Sequence, residues 1–103
     1  MSLVQLESFV AVAEEEHVGR AAIRLRMSQP PLTRRIRSLE DELGVELFER
    51  TARGMRLRPE GERFLHHARD ILERVEEVRR TFSDSSKVTP PRDPDSAPAN
   101  RSD

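Results

Sequence analysis

Apolar residues return at helical intervals from the start of the chain. Leu3, Leu6, Phe9, Val10 and Ala13 share one face between Ser2 and about Glu15, with Ser2 placed to cap the helix. A shorter stretch, from about Val18 to Leu25, sets Val18, Ala21, Ala22 and Leu25 on a common face, and its two alanines permit a neighbouring helix to cross closely. Arg26 and Met27 make a turn. Ser28 then stands as N-cap of a third helix that opens Gln29-Pro30-Pro31, where proline costs little because first-turn N–H groups have no intrahelical partner. That helix runs to Leu43, and Gly44 supplies a left-handed C-cap.

Two short helices joined by a tight turn form the helix-turn-helix arrangement. The third helix has two distinct faces. Leu32, Ile36, Leu39 and Leu43 make an apolar stripe, while Pro30, Thr33, Arg34 and Arg37 recur at i, i+3, i+4 and i+7 on the other side. A small, basic face near a helix start suits entry into a DNA major groove. Thr33 can touch a thymine methyl, Arg34 can fork onto a guanine edge, Gln29 can pair with adenine, and Arg37 extends the same face. A merely solvated polar face is the alternative.

Beyond Val45 the period changes. Met55 and Leu57 alternate with Arg56 and Arg58, and Gly54 permits a positive φ at a turn, so residues 47–58 predict a short hairpin, or wing. Arg53 at its tip and Arg56 beside it are placed to reach a minor groove or phosphates, where negative potential favours arginine. A surface hairpin with stray arginines is the bland alternative. Pro59 then opens a long helix with Glu60 and Glu62 in its first turn. Phe64, Ala68, Ile71, Val75, Val78 and Phe82 step by fours and threes along it, a coiled-coil seam that Leu65 and Leu72 widen. Over residues 59–82 such a helix is about 36 Å long, more than one small core can cover. A second copy of the chain is the economical partner, and packing back onto its own domain is the alternative. From Ser83 the chain is polar and proline-rich, and disorder is expected.

The expected fold is therefore mainly α. A winged helix-turn-helix of three helices and a hairpin (1–58) is followed by a dimerisation helix (59–82) and a tail (83–103). The formal net charge of -1 would argue against a nucleic-acid partner, but its distribution reverses that impression. Residues 17–58 carry ten arginines against five acids, whereas residues 1–16 carry four acids and no base. Seventeen of the eighteen bases are arginine, which suits bidentate contact with phosphate or guanine, although genomic base composition could produce the same bias. No Gly-rich phosphate loop appears, cysteine is absent, and the adjacent His66 and His67 diverge by about 100° on a helix. The expectation is a non-enzyme with no cofactor and no metal. The N-terminus lacks a basic start and an apolar run, so the chain reads as cytoplasmic, with no membrane partner.

Several motifs in combination resemble the N-terminal domain of LysR-type transcriptional regulators. They are Leu6-Glu7-Ser8-Phe9-Val10-Ala11-Val12-Ala13, Arg20-Ala21-Ala22 with Leu25, Ser28-Gln29-Pro30-Pro31-Leu32-Thr33-Arg34-Arg35-Ile36, and Leu43-Gly44-Val45-Glu46-Leu47-Phe48-Glu49-Arg50. The resemblance implies bacterial regulators that bind interrupted palindromes in double-stranded DNA as dimers or higher oligomers, pairing through the linker helix. It gives DNA-reading roles to Gln29, Pro30, Thr33 and Arg34 and a minor-groove role to Arg53. Pro31 stands where many members have Ala. His17 and Gly19 occupy positions where Ser and Thr are common, which weakens the expected cap on the second helix, and Arg58 replaces a usual Thr before the linker helix. The effector-binding domain of the family has no counterpart in these residues, so no small-molecule effector is expected to bind them. A module that only dimerises with full-length relatives and modulates them is the competing expectation; it shares the seam but has no need of the basic third-helix face.

Overall fold

A computed structural model of the chain describes residues 1–88, with side chains through Ser83. Its elements are α1 (Leu3–Glu15), α2 (Val18–Leu25), α3 (Gln29–Leu43), β1 (Phe48–Thr51), β2 (Gly54–Leu57) and α4 (Pro59–Val88). α4 continues past Phe82, where the apolar spacing ends. Residues 89–103, most of the expected tail, lie outside the described residues.

Local chemistry accounts for most boundaries. Ser2 and Gln5 form a reciprocal capping box on α1: the Gln5 N–H donates to Ser2 Oγ at 3.1 Å, and the Ser2 N–H donates to Gln5 Oε1 at 3.0 Å. The weakened cap expected on α2 is made instead by an imidazole, with His17 Nδ1 accepting the Arg20 N–H at 3.2 Å. Ser28 occupies the N-cap position of α3 in extended conformation, yet its hydroxyl makes no capping bond. The cause lies two and three residues on. Pro30 and Pro31 hold the positions whose N–H groups a capping hydroxyl would accept, and proline has none. Gly44 closes α3 at φ 74°, its N–H donating to the Glu40 carbonyl at 2.8 Å.

Residues 1–72 pack as one unit, so the first half of α4 belongs with the three helices and the hairpin. Its core joins Leu6, Phe9 and Val12 of α1, Ala21 and Ala22 of α2, Leu32, Ile36 and Leu39 of α3, and Leu47, Phe48 and Met55 around the hairpin. Phe9 is the hub. Its ring lies 5.3 Å from Phe48 and 5.0 Å from Phe64, the latter edge-to-face, so one side chain of α1 holds both the hairpin and α4. Ala68 is fully buried, and Phe64, Leu65 and Leu72 are half-buried against the same core. Residues 73–88 carry the rest of α4, with Val78 and Phe82 exposed.

The strands pair antiparallel with Glu49 opposite Arg56 and Arg50 opposite Met55. The Met55 N–H donates to the Glu16 carbonyl at 3.1 Å, which ties the hairpin to the end of α1. Gly54, at φ 144°, sits where any side chain would collide with that carbonyl, so both its backbone angle and its lack of Cβ are required.

Candidate nucleic-acid interface

α3 is fixed by its apolar stripe. Leu32, Ile36 and Leu39 are buried and Leu43 half-buried, so the opposite face is turned to solvent. Pro30, Arg34 and Arg37 are exposed there and Thr33 is half-buried, so these four share the outward side, while Gln29, three residues before Leu32 and seven before Ile36, is exposed at the N-terminal end of the stripe's own side. Ser28, freed from capping, adds a hydroxyl at its start.

Two contacts with no signal in the apolar pattern hold α3 in place. The Arg35 Nη1 donates to the fully buried Ser8 hydroxyl at 3.1 Å and approaches Met27 Sδ at 3.4 Å, bracing α3 against α1. Glu40 Oε2 accepts the Leu47 N–H at 2.8 Å and the Phe48 N–H at 3.3 Å, anchoring the connection into the hairpin. Charge-assisted bonds of this kind are about twice as strong as neutral ones. Arg35 and Glu40 thus serve the exposed face indirectly.

The wing candidates lie on the hairpin. Arg53 is exposed at the turn, where its N–H donates to Thr51 Oγ1 at 3.2 Å, and Arg56 is exposed on β2 between buried Met55 and half-buried Leu57. Between α3 and the hairpin runs an open groove of about 800 Å³ bordered by Arg37, Glu40, Asp41, Glu49 and Arg50. Its charges are mixed, in contrast to the arginine-rich start of α3.

The seam candidates divide. Phe64 and Ala68 lie within the 1–72 unit's own core, Val75 is half-buried, and Ile71, Val78 and Phe82 are exposed. At the foot of α4, Glu14 bridges α1, α2 and α4. Its carboxylate is 2.8 Å from Arg69 Nη2 and 2.8 Å from Arg24 Nη2, and the Arg69 hydrogen bond, followed by that from Arg24, holds its pKa below the usual carboxylate range. Among the described residues no group of three or more metal-ligating side chains forms, and no helix is long and apolar enough to cross a membrane.

This geometry has close counterparts. The chain superimposes on the CbnR DBD in a complex with DNA (TM-score 0.79, 43% identity, 84% of this chain and 99% of that one). It superimposes equally well on the BenM DBD in a complex with catB site 1 DNA (TM-score 0.78, 42% identity, 84% of this chain and 98% of that one). In sequence it is 54% identical over 88 residues to the HTH-type transcriptional regulator TfdS of Cupriavidus pinatubonensis, covering 85% of this chain and 28% of that protein. It is 53% identical over 83 residues to ClcR of Pseudomonas putida, covering 81% and 28%. The chain therefore spans a little over a quarter of the length of these relatives. The family model for bacterial regulatory helix-turn-helix proteins of the lysR family matches residues 3–62, which takes in all three helices, the hairpin and the start of α4. On the shared helices, hairpin and motifs, the chain belongs to the lysR family of bacterial regulatory helix-turn-helix proteins.

Proposed function

We propose that this chain is the DNA-reading end of a transcription regulator and binds an interrupted palindrome as a dimer. The division of α3 carries the proposal: a buried Leu32-Ile36-Leu39 stripe orients Pro30, Thr33, Arg34 and Arg37 outward together. A helix of that kind offers its first turns to base edges in a major groove. Arg34 supplies the bidentate donor for a guanine edge and Gln29 the paired donor and acceptor for adenine. Arg37 extends the same major-groove face along the helix, and Arg53 and Arg56 on the hairpin add positive charge for phosphates or a minor groove. Reading two half-sites needs two copies, and the exposed Ile71, Val78 and Phe82, with Val75, supply a continuous apolar edge for a second α4. The half-buried Phe64 and the buried Ala68 support that edge from within each copy. The DBD–DNA complexes of CbnR and BenM support the same use of the fold.

Two substitutions test the two halves of this proposal. Arg34→Ala is expected to lower discrimination between the preferred site and a base-substituted site by about 1–3 kcal/mol while leaving the dimer intact, read by competition binding and sedimentation. Retained discrimination removes α3 from its assigned role. Ile71→Asp is expected to give a monomer with much weaker binding to the full site; an unchanged mass refutes the seam. A module that only dimerises predicts no DNA discrimination to lose, with a mass that still responds to Ile71→Asp.

A further inference from the structure

The starts of α2 and α3 border an open notch of about 460 Å³, lined by His17, Gly19, Ile23, Met27, Ser28 and Gln29 among others. Two side chains in it occupy space that a residue other than glycine would deny them. The His17 ring folds back over the first turn of α2 to accept the Arg20 N–H, and the Gln29 side chain reaches from α3 to the same turn. A methyl placed on Gly19 would stand 2.8 Å from His17 Cε1, 3.1 Å from His17 Nδ1 and 3.1 Å from Gln29 Nε2. Carbon atoms in favourable contact lie about 3.5–4.0 Å apart, so His17, Gln29 or both must move. The backbone at Gly19 is ordinary α-helix, where glycine is a weaker helix former than alanine. The glycine is thus explained by the space around it and not by its backbone angles.

We propose that Gly19 is a specificity-determining position that acts through Gln29: the missing side chain seats the Gln29 amide against α2 and so sets which base edge it meets. This rests on the assignment of Gln29 as a base-reading residue. An amide pairs bidentately with adenine only when its nitrogen and oxygen both lie on the base edge, and recognition of this kind tolerates displacements of about 0.5 Å. A Cβ at position 19, 3.1 Å from Nε2, obliges the amide to give by a few tenths of an ångström, a large part of that tolerance. Gly19 touches no base itself; it is a positioning residue, and His17 forms the other wall of the seat.

The test is competition binding of the full chain to its preferred duplex and to duplexes with each base pair replaced in turn, for the wild type, Gln29→Ala and Gly19→Ala. Gln29→Ala is expected to reduce discrimination at one position of each half-site by about fivefold or more. Gly19→Ala is expected to reduce it at that same position, with the other positions, the salt dependence and the melting temperature held or the last raised. If Gln29→Ala alters no position, the base-reading assignment fails and the inference with it. If Gln29→Ala alters one position and Gly19→Ala leaves that position unchanged, the inference alone is overturned. A lowered melting temperature, or loss at every position, in Gly19→Ala assigns the glycine to folding and also overturns it. Should Gly19→Ala fail to fold, the pair His17→Ser with Gly19→Ala replaces the ring by a capping hydroxyl and keeps only the collision with Gln29. That pair must lose discrimination at the Gln29 position relative to His17→Ser alone, and equal discrimination contradicts the inference.

Discussion

Phe64 and Phe82 fall on the same seam of the same helix, eighteen residues apart, and the structure treats them differently. Phe64 lies edge-on to Phe9 at 5.0 Å, in a cluster that uses three of the four phenylalanines, while Phe82 is 68% exposed. The polar contacts divide in the same way. Arg69 reaches Glu14 across 55 positions of sequence, whereas Arg74 with Glu77 and Arg79 with Glu76 are local pairs spaced i, i+3. The first half of α4 is therefore held by tertiary contacts within the 1–72 unit. Among the described residues, the second half carries those local pairs and an apolar edge whose burial would contribute about 1.5–3 kcal/mol for each large side chain. A single repeating pattern thus serves the fold of one copy first, and leaves a remainder exposed, the edge proposed to pair with a second copy.

That contrast can be broken at its strongest point. Phe9→Ala removes the hub of the cluster and is expected to cost about 3–5 kcal/mol, enough to unfold much of a domain this small, as measured by urea denaturation. Phe64→Ala and Phe82→Ala sharpen the comparison. The first should destabilise the monomer by about 3 kcal/mol, the second should leave its unfolding within about 0.5 kcal/mol while weakening self-association in sedimentation. Equal monomer losses from the two would erase the distinction. The polar side of the contrast is tested at Glu14. Its folded pKa is depressed, so its contribution is full above the unfolded carboxylate pKa and is lost as pH falls through the folded value. Because the pair is partly solvated, Glu14→Gln should cost no more than about 1 kcal/mol at neutral pH and should flatten the acid limb of stability against pH.

Much of this fold was legible in residue spacing. The stripe from Leu32 to Leu43 with Gly44 after it gave α3 and its end, and alternation around Met55 with Gly54 before it gave the hairpin. The outward placement of Pro30, Arg34 and Arg37 follows directly from the burial of that stripe, whereas Gln29 lies on the stripe's own side and is exposed at the helix start. Spacing did not reveal what covers a face. The Phe64-to-Phe82 period reads alike whether an intramolecular core or a partner helix buries it, so the division at about Leu72 needed the structure. The end of α4 was also hidden, since Ser83, Asp84 and Ser85 carry no apolar period. Caps failed for a different reason. Ser28 has the usual chemistry, but the prolines after it remove the donors, and His17 caps with an imidazole that the usual list of capping residues omits. Arg35 and Glu40 were missed because a long polar side chain can bind a buried hydroxyl or a distant N–H without leaving any trace in hydrophobic periodicity.

The central claim joins both halves of the molecule: an outward α3 face that reads bases and an exposed α4 edge that pairs copies. Selection of randomised duplexes by the purified chain, with the bound fragments sequenced and the mass of the bound species measured, addresses both at once. The account predicts two inverted half-sites at fixed separation, bound by a dimer. Dimers that enrich no sequence, or a single half-site bound by one copy, would contradict it.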